Sequence, residues 1–343
     1  MDSRFTEACP PVTEAQAESF AQEAYGIAAV ARPLGSERDA NFELQTPAGA
    51  SYLLKITHPG EAPEVTKFQT DCLLHLADVD PTLPVPRVIL TPDGQSVVRA
   101  DWAGVARTTR LLSFLPGMPL HLAEREAAQR RRIGTTLAAL DRGLGSFPGA
   151  MPKLDLIWDM GQAVSLRPLI AHVADPAEHA LIAERFDIFE GRVLPALAAL
   201  PQQPIHNDFN PHNLLVDPED HRRISGIIDF GDLAVAPRVQ DLAVAASYQV
   251  LGAAHPFETA AETVAGFHAE TQLSEPEIAL LADLIPMRLA LAITISNWRA
   301  ALHPENRDYI LRNVGNSRRG LVALGGVGRA EAEDYLNAAC RGA

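Results

Sequence analysis

His206-Asn207-Asp208-Phe209-Asn210-Pro211-His212-Asn213, followed after a turn by Ile228-Asp229-Phe230-Gly231-Asp232, decides how this chain is read. Moving a γ-phosphoryl group asks little covalent chemistry of a protein. It asks for an acceptor oxygen held in line and for phosphate charge neutralised by metal and cations. Mg2+ prefers hard oxygen ligands in octahedral geometry and takes only one or two of them from protein, leaving the rest to phosphates and water. Asn213 and Asp229 supply such a pair. Asp208, five residues ahead of Asn213, is presented by the same short loop to face an acceptor hydroxyl. His206 packs beneath the loop and fixes its backbone.

The flanks read as strands. Pro204-Ile205 leads in, Leu214-Leu215-Val216 leads out, Asp217-Pro218-Glu219-Asp220 is a turn and Ile224 to Ile228 is a second apolar run. The order is loop, strand, turn, strand, with Asp229 at the second strand's end. His-x-Asp-x4-Asn alone arises by chance in polar loops. An Asp-Phe-Gly sixteen residues beyond Asn213, across a hairpin of suitable size, makes coincidence a poor account.

These residues resemble the catalytic and metal-binding loops of the aminoglycoside phosphotransferase and choline kinase superfamily, which has the protein-kinase-like fold. Ile205-His206-Asn207-Asp208, Gly226-Ile227-Ile228-Asp229-Phe230-Gly231-Asp232 and Asp241-Leu242-Ala243 are similar to its hydroxylysine kinase branch, which includes phosphotransferase domains fused to class III aminotransferases. The resemblance runs from about Phe20 to Tyr309. It implies an α+β, bilobal fold: a small β-rich nucleotide-binding lobe over residues 1–113 and a larger, mainly helical catalytic and substrate-binding lobe over 114–343. It also implies Mg2+, ATP or GTP as donor, and a small amine-bearing alcohol or hydroxylated amino acid of the hydroxylysine kind as acceptor. Aminoglycoside, ethanolamine, choline and homoserine acceptors stay open, as does a catalytically weak, pseudokinase-like nucleotide-binding module.

The first hundred residues fit the small lobe. Phe42 to Gln45 and Tyr52 to Ile56 read as strands joined by Thr46-Pro47-Ala48-Gly49, and Val65 to Leu76 has a helical apolar period. Val85 to Leu90, Ser96 to Ala100 and Thr108 to Leu115 read as extended. Lys55 closes its strand and is the candidate for the α- and β-phosphates. Leu34 to Asn41 falls where the fold places its phosphate-covering loop. It holds one glycine rather than three, so Ser36, Asn41 and backbone N–H groups are its phosphate candidates. Kinase-like folds pair the strand lysine with a glutamate on the next helix. The matching position here is Gln69, with Glu64 about one turn earlier. Either Gln69 accepts a hydrogen bond from Lys55 without neutralising it, or Glu64 substitutes.

Ser113-Phe114-Leu115-Pro116-Gly117 resembles the inter-lobe hinge, with Ser113 and Leu115 as purine-edge candidates. Arg132 to Leu144 reads as a core helix. Trp158-Asp159 and the helix Ile182 to Leu194 fall where the superfamily inserts substrate-covering helices, and Asp159 is a candidate partner for a substrate amine. Asp232 is expected near the metal or the acceptor, and Asp241 is expected to brace the catalytic loop. Arg288, Asn297, Trp298, Arg299 and Tyr309 lie on late helices that wall the pocket in this family. Arg288 is either a bidentate carboxylate clamp or half of a buried pair with a local acid.

Composition removes other classes. Lys and Arg number 29 against 43 Asp and Glu, a formal net charge of −14, which argues against nonspecific nucleic-acid binding. Cys9, Cys72 and Cys340 are isolated, with no Cys-x-x-Cys and no His-Glu-x-x-His, so a reducing cytoplasm is expected. The N-terminus is acidic and lacks an apolar signal core. Ile278 to Ile295 is the most apolar stretch but contains Asp283, Pro286 and Arg288, and reads as a buried helix rather than a membrane span. Neither a nucleic-acid nor a membrane partner is expected, and the oligomeric state stays open. The glycines from Gly315 to Gly328 follow no strand and meet no Gly-Lys, so they read as loop breakers rather than a Walker loop. No Gly-x-Ser-x-Gly marks a serine hydrolase. No Ala-Pro-Glu follows Asp229, as a protein kinase would require.

Overall fold

The computed structural model describes residues 10–36, 39–152, 154, 156–250 and 252–342. Glu37 and Arg38 of the expected phosphate-covering loop, and Cys9, lie outside the described residues. The chain divides into two compact units. One runs to Pro116 and takes in Phe147–Pro152 and Gly226–Gly231; the other comprises Gly117–Ser146, Lys153–Ser225 and Asp232–Ala343. The first break therefore falls three residues beyond the expected 113/114 boundary, and the Asp229-Phe230-Gly231 segment joins the N-terminal unit.

The first unit is an antiparallel sheet with a helix on each face. Its strands are β1 (Val30–Leu34), β2 (Ala40–Gln45), β3 (Ser51–Ile56), β4 (Val88–Ile89), β5 (Val98–Trp102) and β6 (Val105–Ser113). Their spatial order is β1-β2-β3-β6-β4, with β5 also on β6. Alternation decides the faces. Phe42, Leu44, Leu54 and Ile56 point into a core shared with Trp102 and Leu111. Helix α1 (Glu14–Tyr25) covers that core with Ala17, Ala21 and Tyr25. A capping box starts α1, with the Gln16 N–H on Thr13 Oγ1 at 3.3 Å and the Thr13 N–H on Gln16 Oε1 at 2.9 Å. Gly26, at φ 68°, stops it. Helix α2 (Pro63–Val79) has proline in its first turn and buries Phe68, Cys72, Leu73 and Leu76. The Phe147 ring meets Phe68 edge-on at 5.8 Å, which ties the 147–152 segment to this unit. Of Val85 to Leu90, only Val88 and Ile89 pair as strand.

The second unit is mostly helical. Its helices of eight or more residues are α3 (Ala127–Gly145), α4 (Pro176–Ile188), α5 (Arg238–Ser247), α6 (Glu258–Glu270), α7 (Glu275–Leu302), α8 (Val314–Gly325) and α9 (Arg329–Arg341). The expected helix over Ile182 to Leu194 is α4 continued through a π turn, Phe189–Val193. Helices α3 and α6 cross where both carry glycine. A Cβ on Gly134 would lie 1.9 Å from the Thr263 carbonyl oxygen, and one on Gly266 2.0 Å from that of Arg131. The Thr135 hydroxyl donates to the Gly266 carbonyl at 3.1 Å across the same contact. The apolar window of α7 is 89% buried inside the protein, as a core helix should be.

Three of the C-terminal glycines correct the sequence reading, while Gly326 and Gly328 stand at the break between two helices as expected. Gly315, Gly320 and Gly325 lie inside α8 and are not loop breakers. A Cβ on Gly320 would stand 3.0 Å from Leu289 of α7, so close helix packing accounts for it.

Short strands hold the functional loops of this unit. Strand β8 (Gln203–Ile205) pairs with β11 (Ala234–Ala236), Ile205 opposite Ala234. Strands β7 (Met118–Pro119), β9 (Leu214–Val216) and β10 (Ile224–Ile227) form the order β10-β9-β7. The Asp217 N–H donates to the Arg223 carbonyl at 3.0 Å and closes the expected hairpin.

Candidate active site

In the helical unit, the loop from His206 to Asn213 leaves β8 and is pinned from below. Asp241, fully buried on α5, accepts the His206 N–H at 2.7 Å and the Asn207 N–H at 2.9 Å. A carboxylate taking two backbone donors fixes both peptide planes with charge-assisted bonds. Asp141 of α3 is buried beside Asp241. Burial, and next the Asp241 charge, push the Asp141 carboxyl well above its ordinary range. Since Asp241 serves two N–H donors, the proton belongs on Asp141. Asn207 sits at φ 64°, a region few side chains other than Asn and Asp adopt, immediately before Asp208. The buried His206 accepts the Asp208 N–H on Nδ1 at 3.3 Å, so it does lie under the loop.

Asp208 is the loop's projecting carboxylate, with 23% of its side chain exposed. Asn213 Nδ2 donates to its Oδ2 at 2.7 Å and to its carbonyl oxygen at 3.0 Å. A carboxylate only accepts, so this contact fixes the amide's orientation and turns Oδ1 of Asn213 the other way. Arg288 Nη2 lies 3.5 Å from Asp208 Oδ1, while Nη1 donates to the Trp158 carbonyl at 2.8 Å. Its guanidinium stands 5.1 Å over the Trp158 ring. Arg288 is only 1% exposed. The acid that Arg288 meets is Asp208. Tyr248 completes the cluster: burial raises its phenol above the ordinary value, against the pull of the Arg288 charge.

Asp159 caps the turn Met160–Gln162, its Oδ1 accepting the Gly161 N–H at 2.8 Å and Gln240 Nε2 at 2.8 Å. Those are the contacts of a helix cap. Asp232 ends the turn Phe230–Asp232 and is partly buried.

In the sheet unit, Lys55 Nζ lies 3.0 Å from Asp229 Oδ1 and 3.4 Å from Asp39 Oδ2. Burial works to lower the Lys55 pKa, but the Asp229 and Asp39 charges outweigh it and the value is raised. Asp229 sits at φ 59° with 54% of its side chain exposed. Its left-handed backbone is a conformation that proteins hold at functional positions at a cost of about 1–3 kcal/mol.

Neither sequence candidate on α2 meets Lys55. Gln69 Oε1 accepts from Arg110 Nη2 at 2.8 Å, and its Nε2 donates to the Gly231 carbonyl at 2.8 Å. Glu64 is exposed, and among the described residues no ion pair joins it to Lys55. Arg110 was invisible in the sequence because β6 reads there as Thr-Thr-Arg-Leu-Leu, with nothing to mark the arginine as buried. Asp39 was missed because it stands in a polar turn.

Ser36 Oγ accepts the Asp39 N–H at 3.2 Å. Asn41 lies in β2, opposite Lys55 across the β2–β3 pair. The Ser113 N–H donates to the Arg87 carbonyl at 2.8 Å and its Oγ accepts the Arg87 N–H at 2.8 Å, so these groups of Ser113 serve the sheet. Leu115 is half-buried.

Comparison with known proteins follows the same lines. The sequence profile of the phosphotransferase enzyme family (APH) matches residues 30–280. The chain is 26% identical over 351 residues to the hydroxylysine kinase of Mus musculus, covering 95% of this chain and 92% of that protein. To the hydroxylysine kinase of Xenopus laevis it is 25% identical over 348 residues, covering 94% and 92%. Among solved structures, the amicoumacin kinase hAmiN in complex with AMP-PNP, Ca2+ and Ami superposes with a TM-score of 0.66 at 18% identity, over 94% of this chain and 93% of that one. A microcompartment-associated aminopropanol kinase gives a TM-score of 0.67 at 19% identity, over 94% and 98%. These structures share the fold expected from the catalytic loops.

Proposed function

The chain belongs to the phosphotransferase enzyme family, and from that premise we propose that it transfers the γ-phosphoryl group of ATP or GTP to the hydroxyl of a small amino alcohol or hydroxylated amino acid, hydroxylysine-like in class. It is a phosphotransferase with an alcohol acceptor. The observation that carries the reading is the Asp208 carboxylate, held by Asn213 and Arg288 in a loop pinned by Asp241. Similarity over nearly the whole chain to hydroxylysine kinases supports the acceptor class.

In this reading Asp208 accepts the acceptor's proton as its oxygen bonds to the γ-phosphorus and the bond to the β,γ-bridging oxygen breaks. Lys55 draws the donor's phosphates. The Mg2+ ligands in this reading are Asn213, whose amide oxygen turns away from Asp208, and Asp229, which is half-exposed; each side chain by itself is a hard oxygen donor. Bound there, the ion would supply charge neutralisation on the phosphates. Asp232 remains a candidate beside the acceptor, and Asp159 a candidate for its amine.

A nucleoside-diphosphate release assay tests this. ATP and GTP are each crossed with 5-hydroxylysine, ethanolamine, choline, homoserine, an aminopropanol and an aminoglycoside. The reading predicts acceptor-dependent release, greatest with an amine-bearing hydroxy compound of amino-acid size. Release that needs no acceptor, or none with any pair, would contradict it. Greatest turnover with the aminoglycoside would replace the acceptor class while keeping the chemistry.

A further inference from the structure

We infer that Asp39, in the turn between β1 and β2, is the carboxylate that positions Lys55 for the nucleotide phosphates. The inference rests on the reading of Lys55 as the phosphate lysine. Lys55 and Arg110 face each other across the β3–β6 pair, and both are buried. Two neighbouring buried cations repel and each must find compensation. Arg110 takes its partners from α2: Gln69 Oε1 at 2.8 Å, Thr70 Oγ1 at 3.0 Å and the Thr66 carbonyl at 3.4 Å. Gln69 then spends its amide nitrogen on the Gly231 carbonyl at 2.8 Å. Among the described residues, these side chains of helix α2 serve Arg110 and Gly231, and no ion pair joins the helix to Lys55. Kinase-like folds draw the lysine's partner from this helix; here it must come from elsewhere.

Among the described residues the carboxylates on Lys55 are Asp229 and Asp39. Asp229 is the proposed metal ligand, so its charge is shared once nucleotide and metal arrive. Asp39 has no metal to hold, and its charge also steadies the neighbouring Arg110. Its Oδ1 is fixed by the His58 N–H at 2.9 Å, its own N–H is held by Ser36 Oγ at 3.2 Å, and Oδ2 faces the ammonium at 3.4 Å. One side chain therefore joins the turn before β2, the turn after β3 and the lysine between them. Asp39 is a positioning residue, not a catalytic one.

The test is calorimetric titration of the whole protein with AMP-PNP and excess Mg2+, which needs no acceptor. Asp39→Asn keeps the acceptor for His58 and removes the charge; it is compared with Lys55→Met, with the double variant and with wild type. Asp39→Asn should weaken binding about tenfold or more, the scale of one charge-assisted bond. In the Lys55→Met background the same change should do nothing, because the partner it acts through is gone. Melting temperatures serve as the check on folding. Binding within twofold of wild type for Asp39→Asn, beside weakened binding for Lys55→Met, overturns the role of Asp39 alone. Equal weakening by Asp39→Asn with and without Lys55 also overturns it, since that is a purely structural effect. Unchanged binding by Lys55→Met overturns the phosphate role of the lysine and this inference with it.

Discussion

The side-chain amide nitrogen of Asn213 donates to Asp208 twice, to the carboxylate at 2.7 Å and to the backbone carbonyl at 3.0 Å. The residue proposed to hold metal is thereby the same one that aims the residue proposed to take the proton. Asn213→Ala removes both effects, and turnover should fall roughly 10²-fold or more, the range for a positioned proton-transfer group. Asn213→Asp trades two donors for a like charge and should not rescue it. Steady-state turnover with the best acceptor is the measurement; activity within threefold of wild type in either variant would remove Asn213 from this role.

Arg288 distinguishes positioning from substrate binding. It is buried, bonded to the Trp158 carbonyl and set beside Asp208. A lysine cannot reproduce a fork that serves two acceptors. Arg288→Lys should therefore lower kcat by about tenfold or more, the worth of one charge-assisted bond, with the KM for acceptor little changed. A selective rise in that KM at constant kcat would mean the guanidinium binds a substrate carboxylate instead.

Much of this was legible in the sequence, because the catalytic residues are contiguous. Asp208, Asn213 and Asp229 come with strands β9 and β10 whose apolar runs are equally plain. The sheet partners were harder. Strand β1 buries only Ala31 and carries Pro33 on an edge, so it has no alternating signal to read. Analogy with kinase-like folds places the partner of Lys55 on α2. It was displaced because Arg110, 55 residues away in sequence, had taken Gln69. Long-range competition between two cations for one side chain leaves no local trace. Gly320 misled for a related reason: its role is contact with Leu289 of another helix.

Asp141 makes stability depend on pH in a definite direction. Its carboxyl is held well above the ordinary range by burial and by Asp241. The native state therefore binds this proton more tightly than the unfolded chain does. Stability from the group is full below the ordinary carboxylate pKa and declines as pH rises toward the raised value. Asp141→Asn has no proton to lose. Melting temperatures from pH 4 to pH 9 should show the variant gaining on wild type as pH rises, while the two run parallel at the acid end. A constant offset across the range would contradict a protonated Asp141.

The α3–α6 crossing should not tolerate a methyl group. Alanine is the better helix former by about 1 kcal/mol. At Gly134, however, its Cβ would lie 1.9 Å from a backbone oxygen that cannot move alone. Gly134→Ala should cost about 1–3 kcal/mol, the range for overpacking. Gly315→Ala, whose Cβ would approach nothing nearer than Arg319 Nη1 at 3.8 Å, should be neutral or mildly stabilising. Chemical denaturation of both variants measures the contrast, and equal stability of the two would refute the steric account.

The turnover of Asp208→Asn, measured with the best acceptor at saturating nucleotide and Mg2+, tests the central claim most directly. The substitution keeps the size of the side chain and removes its ability to take a proton. The account predicts a fall of roughly 10²- to 10⁴-fold with far smaller change in nucleotide binding. Turnover equal to that of the unsubstituted protein would contradict it.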